Sequence, residues 1–232
     1  MPGQIVALGG GAQPLRLGPA LEEYLMRLTG RDCPRVCYLP TASGDSDANI
    51  VRFYQHFRQP RCQPSHLPLF RREGDDLRPR LLEQDMILVS GGNTANQLAI
   101  WRLHGVDLIL REAWEAGILL CGGSAGSLCW YECGVTDSFG LQLAPLHDGL
   151  GFLPGSHCPH YDAEVLRRPA YRRYVGEGVL PGGIAIDNAA GVRYAGTEVV
   201  EVVSAREGAQ AYRVEREAGG GLREEPLVAR RL

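Results

Sequence analysis

Gly122-Gly123-Ser124-Ala125-Gly126 sets a single hydroxyl among glycines, where the apolar run Ile118 to Cys121 gives way to another apolar run. The pattern is G-x-S-x-G, in which a serine stands on a strained strand-to-helix turn and small neighbours keep that turn free of clashes. Backbone N–H groups at the start of the following helix would point at the same spot. An oxyanion forming on an attacked carbonyl would meet them already in place. Ser124 is therefore the candidate nucleophile. The competing reading is an N-capping serine in a glycine-rich chain.

A serine needs a base to take its proton. The chain has no lysine, so the search falls on its six histidines. His56, His66 and His104 precede the serine and lie in a helical run, a strand approach and a helix end, where structural or surface roles suffice. His147 and His157 remain open. His160 is preferred, because Cys158-Pro159-His160-Tyr161-Asp162 is a proline-held segment between a strand-like and a helical run, and such a loop suits a base that must reach across to the elbow. Cys158 and His160 form no zinc pattern, since no second ligand pair with suitable spacing accompanies them. No metal is expected.

The elements that must carry these residues alternate. Strand-like runs at Gln4 to Leu8, Arg35 to Leu39, Met86 to Ser90 and Ile118 to Cys121 are interleaved with helical spacing at Pro19 to Leu28, Asn49 to Phe57 and Asp107 to Ala116. This predicts an α/β fold with a mostly parallel sheet and helices on both faces. Ser124 then sits at a strand's C-terminal end, where open α/β sheets bind ligands. Further on, a helix near Ala163 to Val175 and strand-like runs at Gly183 to Ile186, Glu198 to Val203 and Ala211 to Val214 read as a mixed or antiparallel edge of the same sheet. The segment from Glu217 reads as frayed. All 232 residues are expected to form one domain.

The motifs together resemble the S51 serine peptidases, the family of dipeptidase E. The likeness rests on GGSAGS at the nucleophile, VSGGNT at Val89 to Thr94, PHY at Pro159 to Tyr161, GVTDSFG at Gly134 to Gly140 and RRPAY at Arg167 to Tyr171, in the family's order. It runs from the first strand to Ile186. The resemblance implies a flavodoxin-like sheet of the class I glutamine amidotransferase kind, with serine in place of the elbow cysteine. It further implies a serine-type peptidase acting on short peptides, a dipeptidase favouring N-terminal Asp. Ser124 matches the nucleophile and His160 the base, while the Gly91-Gly92 turn and the Ala125 amide match the oxyanion site. For the orienting carboxylate, the TD segment matches at Asp137 and a later loop reads Ile186-Asp187-Asn188, with the family's Glu position falling on Asn188. Asp162 is a third candidate, and Asp137 is preferred over Asp187. Arg168 matches the arginine that would pair with a substrate carboxylate, a task suited to a planar guanidinium.

Composition narrows the alternatives. A net charge of −3 gives no basic footprint for nucleic acid. The absence of lysine excludes Schiff-base chemistry and the P-loop. Seven cysteines without CxxC spacing, and an N-terminus lacking a leader pattern, point to a reducing, cytoplasmic setting. No run is long enough to span a membrane. The GGGAQP after the first strand fails as a dinucleotide fingerprint because Pro14 occupies the third glycine's place. No cofactor is expected, and the partner is a small peptide; a homodimer is compatible with all of this. An α/β-hydrolase esterase would place its acid before a late histidine, unlike His160. A cyanophycinase-like hydrolase and a non-catalytic flavodoxin-like binding module are the remaining alternatives.

Overall fold

The computed structural model describes residues 3–11, 18–72, 74 and 76–232; Pro14 lies outside them. Five parallel strands form the heart of the first sheet: β1 (Gln4–Leu8), β2 (Arg35–Leu39), β3 (Gln63–His66), β4 (Met86–Val89) and β5 (Leu119–Gly123), in the order β3-β2-β4-β5-β1. The central strands are buried on both faces, as parallel strands flanked by helices must be. Because side chains alternate along a strand, each divides its residues between two cores. Val6, Leu8, Val36, Tyr38, Met86, Leu88 and Cys121 pack against α1 (Pro19–Leu28) and α2 (Asp47–His56). Ile5, Ala7, Leu39, Ile87, Val89 and Leu120 face α3 (Leu77–Leu82), α4 (Thr94–His104) and α5 (Val106–Glu115). Truncating one of these fully buried leucines to alanine costs about 2–5 kcal/mol, because a cavity is added to the lost burial.

The second half departs from the single-sheet expectation. β10 (Ala190–Ala195) and β11 (Glu198–Ser204) do extend the first sheet, β10 pairing antiparallel with β1. However, β9 (Gly183–Ile186) and β12 (Ala211–Arg216) belong to a separate six-stranded sheet with β6 (Tyr131–Thr136), β7 (Ala144–Leu146), β8 (Leu153–Cys158) and β13 (Leu222–Leu227). Period-two alternation identifies a strand but not its partner, so either sheet satisfied the sequence pattern. The segment from Glu217 is not frayed. β13 pairs with β12 over its whole length, and β14 (Arg230–Arg231) pairs with β11.

Helix α6 (Ala125–Leu128) follows β5 directly, and α7 (Arg167–Gly176) packs Tyr171 and Val175 against Val135, Cys158 and Ala185 of the second sheet. The C-terminal ends of β1, β4, β5, β8 and β9 thereby come together where the two sheets meet. No helix among the described residues is long and apolar enough to cross a membrane.

Candidate active site

Ser124 adopts φ 59° and ψ −119°, a left-handed conformation that costs a non-glycine residue about 1–3 kcal/mol and persists only when the surroundings fix it. Those surroundings are specific. The Ser124 N–H donates to Leu8 O at 3.4 Å, and its carbonyl accepts the N–H groups of Ser127 at 3.0 Å and Leu128 at 2.9 Å. The flanking glycines are demanded by contact: a Cβ on Gly122 would lie 2.5 Å from the Gly126 carbonyl oxygen, and one on Gly126 2.5 Å from that of Val89. The side chain of Ser124 remains partly exposed at the strand end. Helix α6 is only four residues long, so what it presents at this point is individual amides.

Of the two glycines in the Gly91-Gly92 turn, Gly91 is the one beside Ser124, its Cβ direction ending 3.4 Å from Ser124 Cβ. Gly92 turns away at φ 140°, where a Cβ would lie 2.1 Å from the Ala42 carbonyl oxygen. Among the described residues the N–H groups of Gly91 and Ala125 have no protein acceptor, which leaves both free to bind an oxyanion. The turn also starts a helix. Asn93 Oδ1 caps α4 by accepting the Asn96 N–H at 2.8 Å, and this cap does not occupy the Gly91 N–H.

His160 lies at the end of β8, itself at φ 55°, with its N–H donated to Gly9 O at 2.9 Å. Its Nδ1 meets Asn188 Oδ1 at 2.7 Å. With the amide oxygen as acceptor, Nδ1 carries the proton and Nε2 is left with a lone pair, the tautomer a general base requires. The group that meets Nδ1 is thus an amide and not one of the carboxylates expected from the sequence. Asp137 is 59% exposed and faces Arg167 at 3.7 Å. Asp187 is buried against the Gln210 N–H at 3.1 Å, with Oδ1 unpaired, and burial raises its carboxyl to about 6 despite that N–H. Asp162 acts one step removed: its Oδ1 accepts the Asn188 N–H at 2.8 Å, while Arg206 ties the Asp162 carboxylate to the Asn188 carbonyl. Asn188 stands where the S51 resemblance places a Glu, and an amide there accepts the Nδ1–H as a carboxylate would.

A second omission is the Gly9-Gly10 pair closing β1. Gly9 O accepts from His160 and Gly10 O accepts the Ala189 N–H at 2.8 Å, so one glycine pair holds both the base loop and the Asn188 loop. A Cβ on Gly10 would lie 2.3 Å from His160 Cε1. The sequence signal for this role is the triple glycine after the first strand, Gly9 to Gly11.

The other candidates sort by environment. His157 is buried, between Ser127 Oγ at 2.9 Å and Ile184 O at 2.7 Å, and burial pushes its imidazole down to about 3. It is neutral and structural at neutral pH, whereas His147 is exposed. Arg168 stacks over the Tyr161 and Tyr212 rings, each centroid 5.3 Å away, and donates to Glu224, which Arg172 also engages. Burial by itself would raise the Glu224 carboxyl, but hydrogen bonds from Arg172 and Tyr161 and the Arg168 charge hold it below the usual range. Two guanidiniums sharing one carboxylate retain one positive charge.

Residues 5–202 match Peptidase family S51. The chain belongs to that family. It is 48% identical over 214 residues to the Bacillus subtilis (strain 168) protein named "Uncharacterized peptidase YgaJ", covering 91% of each chain. A 90-residue stretch is 31% identical to the "Peptidase E" of Shewanella denitrificans, covering 38% of each. Among solved structures, a peptidase from an acI-B1 Actinobacterium superposes with a TM-score of 0.67 at 22% identity, covering 99% of this chain and 95% of that one. A putative Peptidase E protein from Listeria monocytogenes EGD-e gives 0.62 at 17% identity, covering 88% and 99%. At those identities the likeness is one of fold, a mixed α/β arrangement with helices flanking the sheets. This S51 peptidase resembles peptidase E.

For the S51 peptidase, the Asn188 geometry makes a specific prediction. Asn188→Ala should lower kcat on the order of 10²-fold by releasing the imidazole from its orientation, whereas Asn188→Asp, which can accept the same Nδ1–H, should stay within about tenfold of wild type. Steady-state kinetics on one dipeptide decides it. An unaffected Asn188→Ala beside a crippled Asp137→Asn or Asp187→Asn would return the orienting role to a carboxylate.

Proposed function

We propose that this S51 peptidase is a serine-type dipeptidase that removes an N-terminal acidic residue, aspartate first. The observation that carries the reading is the strained Ser124 elbow at the end of β5 together with the loop after β8, which carries His160 with its Nδ1 held by Asn188. His160 Nε2 takes the Ser124 proton as Oγ attacks the scissile carbonyl, and the N–H groups of Gly91 and Ala125 receive the oxyanion. The proton then passes from Nε2 to the leaving amine. Water, deprotonated by the same nitrogen, releases the acyl group. Asn188 is neutral, so it orients the imidazole without adding charge; the carboxylate of Asp162 acts through the loop that holds Asn188.

The acidic preference rests on Arg168. It is half exposed, and with Arg172 and Glu224 it keeps one positive charge beside Tyr161, the neighbour of the base. A substrate carboxylate would compete with Glu224 for this guanidinium. A panel of X-Leu dipeptides tests the preference. Asp-Leu should exceed Asn-Leu by tenfold or more in kcat/KM, the order expected for a charge-assisted contact. Equal turnover of neutral first residues would remove Arg168 from substrate recognition, and hydrolysis of an Asp-Arg polymer with no dipeptide turnover would favour the cyanophycinase-like reading.

A further inference from the structure

Glu164 stands one turn beyond the base, and no step of the mechanism above uses it. The N–H groups of Ala163 and Glu164 both donate to His160 O at 3.2 Å, and this turn brings Glu164 Oε1 to 3.9 Å from His160 Nε2. The other carboxylate oxygen is anchored, Oε2 accepting from Arg167 Nε at 2.7 Å. Arg167 is itself fixed, its side chain only 4% exposed and its Nη1 donating to Val135 O at 3.0 Å. Glu164 is thus held from behind by Arg167, while its side chain stays 47% exposed and its Oε1 lies on the Nε2 side of His160. Arg167 also faces Asp137 at 3.7 Å, so two carboxylates share one guanidinium and one negative charge remains.

We propose that Glu164 is the specificity-determining residue that binds the substrate's α-ammonium group. The inference rests on the dipeptidase reading, because only in a peptide cut after its first residue is the nitrogen on the Cα beside the attacked carbonyl a free ammonium. Standard bond lengths then place the two atoms about 2.5 Å apart. The base must come within about 3 Å of the nucleophile, so the ammonium is delivered close to His160 Nε2, where Glu164 Oε1 waits. A carboxylate there forms a charge-assisted hydrogen bond with a free N-terminus and none with a blocked one. Net negative charge around Glu164 and net positive charge around Arg168 complement the ammonium and side-chain carboxylate of an N-terminal aspartate.

The test compares Asp-Leu with succinyl-leucine, the same molecule without its α-amine. Wild type should favour Asp-Leu by about ten- to hundredfold in kcat/KM, the range of hydrogen bonds to charged groups. In Glu164→Gln the ratio should fall toward one, chiefly through the KM of Asp-Leu, and Glu164→Asp should restore part of it. A ratio that survives the Gln change overturns the proposal. So does an equal loss of kcat for both substrates, which would make Glu164 a partner of the imidazolium instead. Labelling of Ser124 by a fluorophosphonate, run on every variant, reports an assembled elbow independently of any peptide. Wild type that is labelled yet cleaves neither compound sinks the dipeptidase reading and this proposal with it, whereas cleavage of Asp-Leu with an unchanged Gln-variant ratio sinks this proposal alone. Should the Gln variant not fold, the wild-type ratio is followed with pH. It should decline as the substrate amine deprotonates around its ordinary value of about 7.7–8.0, and a ratio flat through that range is fatal.

Discussion

Ser124→Ala is expected to lower kcat/KM for short peptides by about 10⁴-fold or more, the scale on which loss of a serine nucleophile is felt, with the melting temperature within about 2 °C of wild type. The two halves of this result have separate causes. Activity should disappear because, in the proposed mechanism, Oγ is the atom that forms the acyl bond. Stability is retained because the fixed part of Ser124 is its backbone, anchored through Leu8, Ser127 and Leu128, and alanine keeps those bonds. Ser124→Gly adds a diagnostic. It should be equally inactive but melt higher than the alanine variant, since glycine tolerates φ 59° without the steric cost that a Cβ imposes. Dipeptide kinetics and calorimetry on the two variants suffice. Residual activity above about a hundredth of wild type would dismiss Ser124 as nucleophile.

His160→Ala should be as damaging as the serine change, and the double variant no worse than either alone, because a nucleophile and its base act as one unit and their losses do not add. The position of the side chain supports this: its Nδ1 is committed to Asn188 and it lies over the Gly10 backbone. His157 is the informative control. It differs in being buried and bonded at both ring nitrogens, so His157→Gln should lower the melting temperature, with activity following the folded fraction. A folded His157→Gln that is inactive, beside a mild His160→Ala, would exchange the two assignments.

The elbow and the loop position of the candidate base were legible in the sequence because both are local. Gly122 to Gly126 carries its own steric requirement, and a proline-held histidine after a strand signals a loop position. The five parallel strands were legible for the same reason: apolar runs bounded by turns report burial on both faces wherever the partners lie. What the chain could not disclose is which distant segments meet. That β9, β12 and β13 form a second sheet with β6, β7 and β8 depends on pairing, to which period-two alternation is blind. The same non-locality separates the three acidic candidates from the residue that meets the imidazole. Asp137, Asp162 and Asp187 are all sensible by type, yet the backbone bonds of Gly9 and Gly10 bring the 187–189 turn against the 160 loop so that the amide of Asn188 faces Nδ1. Residue type and spacing determined the candidate nucleophile and the candidate base; only tertiary packing decided which residue meets that imidazole, because hydrogen-bond distance is set by chain segments that are remote in sequence.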